Sequence, residues 1–559
     1  MDPTDHPPAA APADAAIYFA ADAYTTSGRA KLMGRHAAGE GFLRALARDG
    51  TAPIDCYSAN RREAAGLASL AKAWGSARPV RWIPHGQLAG LRPAGALFYP
   101  GPNLGDLAWQ RRRLDPAAYS LTGVTHTTAS HGATDAIADL LTAPLEPWDA
   151  LVCTSRAVVD SVRRLWAAEG EWLRERLGAG RVPEPLLAEI PLGADCAALA
   201  PDAALRAHWR RQLEVGPDEV VFLFLGRLSF HAKANPLPMF LALEHAARES
   251  GKPVRLVMAG WFANEFIERA FREGAERFCP SVRLQVVDGR QDEIRNRVWQ
   301  AADVFVSLAD NIQETFGLTP VEAMAAGLPC VVSDWDGYRG TVRDGEDGFR
   351  IPTRMPPAGL GADLAARHAD GVADYDRYIG EASLFVAVDV EATQAACLRL
   401  AADADLRRRL GESARRRALE VFDWGRVLAR YRELWRELAD RRRAAPPAGA
   451  PRLPPRRADP YWLFAGYATG TMAGDLRLRL APGGGPEALA RLADSPLVNF
   501  GRDLLPTSVE LGAVLEVLAG RPGAALADCL APFPEARRPL VLRGIAWLHK
   551  VGLVAVVPA

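Results

Sequence analysis

Short apolar runs alternate along this chain with longer stretches whose apolar residues recur every three or four positions. In the first half the runs are "AIYFA" (16–20), "IDCYS" (54–58), "VRWIP" (80–84), "ALFYP" (96–100), "YSLTGVT" (119–125), "DALVCTS" (149–155) and "LAEIPLG" (187–193). Helix-like segments such as "HAAGEGFLRALARDG" and "SRAVVDSVRRLWAAEG" lie between several of them. Runs of this length separated by helices predict a parallel sheet covered on both faces. The pattern restarts after "PDAALRAHWRRQLEVGPDE" with "VVFLFLG" (220–226), "VRLVMAG" (254–260), "VRLQVV" (282–287), "DVFVSLA" (303–309) and "LPCVVS", each followed by a helix-like stretch or preceded by one. Two Rossmann-like domains joined near residue 200 are expected, an α/β protein. The segment "DWGRVLARYRELWRELADRRR" (423–443) is an amphipathic helix, with Val427, Leu428, Tyr431, Leu434, Trp435 and Leu438 on one face.

The ends have a different texture. Residues 1–15 are rich in Pro, Ala and Asp and are expected to be disordered. Residues 444–460 form a Pro-rich linker, and 461–559 a small appended domain. Its last helix-like stretch, in "ARRPLVLRGIAWLHKVGLVAVVP", runs through Gly552 into a β-rich run, compatible with a winged-helix-like domain. A protein-interaction or acceptor-positioning role is expected for it. Its basic residues are too few and dispersed to argue DNA binding.

Composition adds exclusions. With 559 residues the chain is too long for one core. Lys+Arg and Asp+Glu both number 67, so no global field attracts nucleic acid or an acidic membrane. The seven cysteines are scattered without a CxxC pair, which reads as reduced thiols in a cytoplasmic protein. No basic start with an apolar stretch and no membrane-length run is present, so at most peripheral membrane contact is expected. GxGxxG after the first strand, GxxxxGK[ST], GxSxG and metal-ligand spacings are all missing. A nicotinamide dehydrogenase, a P-loop NTPase, an α/β-hydrolase and a metal centre are therefore not indicated.

In an open parallel sheet, ligands sit outside the carboxyl ends of the strands, so the residues just after each strand carry the information. "RLSFHAKANP" follows the first strand of the second domain and holds Arg227 and Lys233, a pair suited to clamp a diphosphate. Basic loop residues are more often merely solvated. After the fourth strand come Asp310, Asn311 and then "ETFGLTPVE": Glu314, the peptide N–H groups of Phe316, Gly317 and Leu318, and a helix beginning near Thr319 or Pro320. Glu322, on the first turn, is placed to accept ribose hydroxyls and Glu314 to touch a sugar. A first-turn Glu also favours the helix dipole without any ligand.

"GRLSFHAK", "LVMAG", "ETFGLTPVEAMAAGLPCVVSDWDGYRGTV" and "DGEDGF" resemble the donor domain of retaining glycosyltransferases of family 4, which have the GT-B fold. With "ALVCTSRAV", "IPLGAD" and "LRRRLGESARRRALEVFDWGRVLARYRELW" the resemblance covers roughly residues 16–440. It implies an acceptor domain over 16–200, a donor domain over 201–423, and a helix at 424–442 crossing back onto the first. It implies that Arg227 and Lys233 bind the donor diphosphate and Glu322 its ribose, that Glu314 lies by the transferred sugar, and that the amides of Phe316 to Thr319 help hold phosphate and sugar. His126, at the end of "TGVTHTTASHG", resembles the family's active-site histidine; His131 is expected to be a bystander. Where the family carries a glycine pair after its first strand, "TTSGRAKLMGRHAAGEGF" offers Gly28 and Gly34 apart, in a basic loop that can approach phosphate or acceptor. The implied reaction moves a hexosyl group from a nucleotide diphosphate sugar to a hydroxyl acceptor, with retention and without metal or other cofactor. Two alternatives stay open: a non-catalytic nucleotide-sugar or glycan-binding protein whose appended domain recruits a partner, and a GT-B epimerase.

Overall fold

The computed structural model describes residues 14–26, 34–446, 449, 451–492 and 495–557. The expected disordered stretch at 1–15 falls almost wholly outside them, as does Gly28. Two compact units divide the chain, Met1–Leu453 and Pro454–Ala559.

The first unit contains two open parallel sheets. One is built from β1 (Ala16–Tyr18), β2 (Ile54–Ser58), β3 (Val80–Pro84), β4 (Ala96–Tyr99), β5 (Ser120–Val124), β6 (Ala150–Cys153) and β7 (Leu186–Glu189) in the order β3-β2-β1-β4-β5-β6-β7. The other is built from β8 (Val220–Leu225), β9 (Val254–Gly260), β10 (Arg283–Asp288), β11 (Val304–Ser307), β12 (Cys330–Ser333) and β13 (Gly348–Ile351) in the order β10-β9-β8-β11-β12-β13. Each order reverses once, between β1 and β4 and between β8 and β11, which is the doubly wound Rossmann pattern. Every residue of β8 and β9 is buried, as strands covered by helices on both faces must be. The sixth strand of the second sheet, Gly348–Ile351, was not among the sequence-predicted runs; its Arg350 breaks the apolar pattern. A small hairpin of β14 (Thr353–Arg354) and β15 (Ala387–Val388) follows it, enclosing the helices Ala362–Ala369 and Tyr375–Ser383.

The helix Trp424–Ala444 returns to the first sheet. Its apolar stripe, from Trp424 to Leu438, packs in one cluster with Phe42, Phe98 and Val152 of the first domain. This helix thus joins the end of the second Rossmann-like domain to the core of the first.

The second unit has its own core around Leu478, Val514, Ile545 and Leu548. Helices Ser508–Gly520, Leu526–Leu530 and Arg538–Lys550 accompany a three-stranded antiparallel sheet of β16 (Arg477–Leu480), β17 (Ala524–Ala525) and β18 (Val554–Val556). The expected small domain of helices and strands is present; the central strand of its sheet is the first in sequence, and among the described residues one strand, Val554–Val556, follows the last helix. Among the described residues no helix is long and apolar enough to cross a membrane, and all seven cysteines are buried and unpaired.

Candidate active site

The reversal between β8 and β11 brings the loop after β8 against the loop after β11. There Lys233 Nζ donates to Glu314 Oε2 in an ion pair that is largely shielded from solvent. Burial works against both charges, yet pairing overrides it. The Glu314 carboxylate holds the Lys233 ammonium above the usual lysine range, and Lys233 together with backbone N–H groups holds Glu314 below the usual carboxylate range. Both therefore stay ionised at neutral pH. Arg227 lies in the same loop, its Nη2 donating to Ala232 O at 2.8 Å and to Gln313 Oε1 at 3.4 Å.

Glu314 also organises the turn that follows it. Its Oε1 accepts from Gly317 N at 3.0 Å and from Thr315 N at 3.3 Å. Gly317 has φ +86°, and a Cβ there would come within 2.0 Å of the Tyr338 ring, so only glycine lets the chain pass. The Tyr338 hydroxyl meets Ser307 Oγ at 2.9 Å, beside Lys233. Two expectations are corrected by this turn. The Gly317 N–H is taken by Glu314, leaving the later amides of Leu318 and Thr319 as the open donors of the helix Leu318–Ala325. The helix starts at Leu318, near the expected Thr319, after Gly317 makes the entry in a left-handed conformation. Glu322 consequently lies beyond the first turn, where the dipole explanation for its charge loses force. Burial pushes its carboxyl up to about 7, and Arg295 only partly offsets this. Thr319 Oγ1 is buried and, among the described residues, has no hydrogen-bond partner.

The first domain closes the site from the other side. Thr315 Oγ1 donates to His126 O at 2.5 Å, and Thr154 Oγ1 donates to Thr315 O at 3.4 Å. His126 Nε2 lies 3.2 Å from Pro100 O. A carbonyl only accepts, so Nε2 carries the hydrogen and Nδ1 is left as an acceptor. Burial pushes the His126 pKa down to about 4, which keeps the ring neutral. His131 is not isolated, as its ring stacks on His368 with centroids 3.7 Å apart. Thr127 Oγ1 and Tyr375 OH meet at 3.3 Å, a second bridge from the helical insertion after β14.

Lys233, Glu314 and Arg227 are thus brought together, His126 stands across from them, and Glu322 is carried on the adjoining helix facing Arg295. Phe316 is buried and serves the core rather than offering its side chain. Two carboxyls were not assigned from sequence. Asp336 has φ +43° and its Oδ1 accepts from Ser155 Oγ at 3.4 Å; burial, with Glu314 nearby, pushes its pKa well up. The Asp336–Gly337 pair, beginning three residues after the end of β12, was the available signal, since this dipeptide marks a turn. Asp310 accepts from Asn235 N at 3.3 Å, its other oxygen has no partner among the described residues, and burial pushes its pKa up to about 7. Among the described residues no group of three or more His, Cys, Asp or Glu is placed to hold a metal ion.

Residues 206–365, which include Arg227, Lys233, Glu314, Glu322 and Asp336, match the family Glycosyl transferases group 1. The D-inositol 3-phosphate glycosyltransferase of Nocardia farcinica (strain IFM 10152) is 30% identical over 187 residues, 33% of this chain and 40% of that protein. The phosphatidyl-myo-inositol mannosyltransferase of Mycobacterium leprae (strain TN) is 32% identical over 210 residues, 37% of this chain and 48% of its own. That of Mycobacterium tuberculosis (strain ATCC 25618 / H37Rv) is 29% identical over 295 residues, 52% of this chain and 65% of its own. The chain therefore spans about half the length of the curated relatives it matches. Among solved structures, the sucrose-phosphate synthase from Thermosynechococcus elongatus aligns over 77% of this chain and 99% of its own, at 18% identity and a TM-score of 0.47.

Proposed function

We propose that this chain, whose residues 206–365 fall in the group 1 glycosyl transferases, moves a hexosyl group from a nucleotide diphosphate sugar to a hydroxyl acceptor with retention and without a metal. The observation that carries the reading is the buried Lys233–Glu314 pair at the switch point between β8 and β11. The relatives' names, a glycosyltransferase and mannosyltransferases, support the reaction class.

An ammonium has three N–H donors, and Glu314 occupies one. What the neighbouring Tyr338 hydroxyl leaves of the others, with Nε and Nη1 of Arg227, is available to oxygens of a diphosphate. Charge accumulates on the leaving nucleoside diphosphate as the bond from its oxygen to the sugar C1 breaks, and preformed cations in a dry site stabilise that charge without reorganising. The acceptor oxygen bonds to C1 on the face the diphosphate leaves, and its proton passes to a leaving phosphate oxygen. Glu314 Oε2, which accepts from Lys233 alone, has a second lone pair for a sugar hydroxyl, His126 Nδ1 accepts from another, and Glu322 accepts from the ribose. No carboxylate needs to act as a nucleophile. The Thr315–His126 bridge holds the two domains together over the reacting atoms and limits access of water.

A thermal-shift screen with UDP-, GDP-, ADP- and TDP-sugars tests the reading. The matching donor at a hundredfold excess over its Kd stabilises the fold by about 2.7 kcal/mol. Lys233→Ala then lowers transfer by roughly 100- to 1000-fold. Because that variant leaves Glu314 buried without its counter-charge, Lys233→Met combined with Glu314→Gln is the control for folding. No donor response, or near-normal transfer by Lys233→Ala, refutes the proposal. Donor binding without transfer or hydrolysis favours a non-catalytic binding protein instead.

A further inference from the structure

A cavity of about 450 Å³ lies between the loop after β8 and the helix Tyr375–Ser383, and none of Arg227, Lys233, Glu314 and Glu322 lines it. Two contacts fix its walls. Asn311 Nδ2 donates to His231 O at 2.8 Å and to Ile379 O at 3.2 Å, tying the loop to the helix. A Cβ on Gly380 would come within 3.0 Å of the His231 Cβ, so the glycine sets how closely loop and helix approach.

The lining has an apolar part and an acidic part. Phe230 is half-buried, and Leu384, 74% exposed, stands at the mouth. Asp310, Asp376 and Glu381 bring three carboxyls, against one lining arginine, Arg377. Glu381 Oε1 accepts from Arg377 Nε at 2.7 Å and from Arg367 Nη2 at 3.0 Å, but its Oε2 is buried and unpartnered among the described residues. Asp310 is 4% exposed; one oxygen accepts from Asn235 N, and Oδ1 has no partner among the described residues. Burial pushes its pKa up to about 7, the mark of a carboxyl that lacks a counter-charge.

Buried acceptors without donors are costly, so the complement of this wall is a donor group. A purely apolar ligand would leave the oxygens unpaired, and a phosphate or carboxylate would be repelled by the three carboxyls. A hydroxyl brings a donor without the missing charge. An ammonium brings three donors, no acceptor and that charge, and an apolar stem on it covers Phe230 and Leu384.

We propose that this cavity binds a small organic cation, a primary ammonium on an apolar stem, with its N–H groups on Asp310 and its stem along Phe230 and Leu384. His231 and Asn235, which line the cavity, flank Lys233 in one loop, so an occupant bears on the loop that carries Lys233. The binding itself does not rest on the transfer reading.

Isothermal titration calorimetry on the full chain, with hexylamine, 2-phenylethylamine and their neutral counterparts hexan-1-ol and 2-phenylethanol, tests the site. At least one amine is expected to bind, about tenfold or more tightly than the alcohol of the same stem. Asp310→Asn, which keeps an acceptor for Asn235 N, is expected to weaken that amine about tenfold. Leu384→Ala, at the exposed end of the stem, is expected to weaken it about threefold. Melting curves show whether each variant is folded, and Leu384→Ala decides if Asp310→Asn is not. Binding of neither amine, equal binding of amine and alcohol, or wild-type affinity in the folded variants overturns the proposal and leaves the transfer reading untouched. The amine is expected to stay bound when UDP-, GDP-, ADP- or TDP-sugars are added. Displacement by any of them would make the cavity part of the donor site and overturn the proposal, while the transfer reading would stand.

Discussion

At the residue scale the site is a set of carboxyls with opposite fates. Glu314 is held ionised by Lys233, whereas burial pushes Glu322 and Asp310 up to about 7. For Glu322 this has a consequence for stability. An unfolded glutamic acid releases its proton near pH ~4.3, but the folded chain keeps it until about 7. Between those values the folded state binds more protons, so this residue's contribution to stability falls as pH rises through the window. Glu322→Gln removes the dependence. Its melting temperature is expected to match wild type near pH ~4.5 and to exceed it increasingly toward pH ~8, while nucleotide affinity falls about tenfold through loss of a charged acceptor. Melting curves at several pH values check the first part and titration calorimetry the second. A difference that is flat or opposite in sign refutes the buried-carboxyl account.

At the element scale the returning helix Trp424–Ala444 ties the end of the first unit to its beginning. Trp424 sits against two glycines: a Cβ on Gly193 would lie 2.5 Å from its Cδ2, and one on Gly41 would lie 2.8 Å from its Nε1. The adjacent backbone is paired too, with Ala194 N donating to Phe422 O at 2.8 Å. Gly193→Ala is therefore expected to push the indole out of its seat and cost about 1–3 kcal/mol of unfolding free energy. Gly66→Ala, on the helix Arg61–Ala73 with open space around the added carbon, is expected to be neutral or slightly stabilising. Urea unfolding of the two variants makes the comparison, and equal midpoints would remove the seat from the argument. Sequence periodicity identified this helix and its buried stripe. The glycine seat was not legible, because Gly41 and Gly193 approach Trp424 only when the chain has crossed back.

At the scale of the whole molecule, the units Met1–Leu453 and Pro454–Ala559 each bury a core of their own. A chain ending at Leu453 is accordingly expected to fold and to keep the full thermal response to the nucleotide sugar proposed as donor. Failure to fold would mean that the first unit's own core is not sufficient. The larger pattern shows where sequence reasoning ends. Strands buried on both faces must be apolar almost without interruption, so the runs at 220–226 and 254–260 announce a covered parallel sheet by themselves. β13 escaped because an edge strand carrying Arg350 has no such constraint. Strand ends could likewise be read locally, and that is how Arg227, Lys233 and Glu314 were marked. What the linear order did not contain was strand order. Lys233 and Glu314 meet across 81 residues because β8 and β11 are neighbours, and Tyr18, Tyr57 and Tyr99 share one cavity because β1 lies between β2 and β4. The residues were determined by the sequence alone; which carboxyl ends adjoin was decided only by the tertiary structure, through the way crossover connections wind each sheet outward from its switch point.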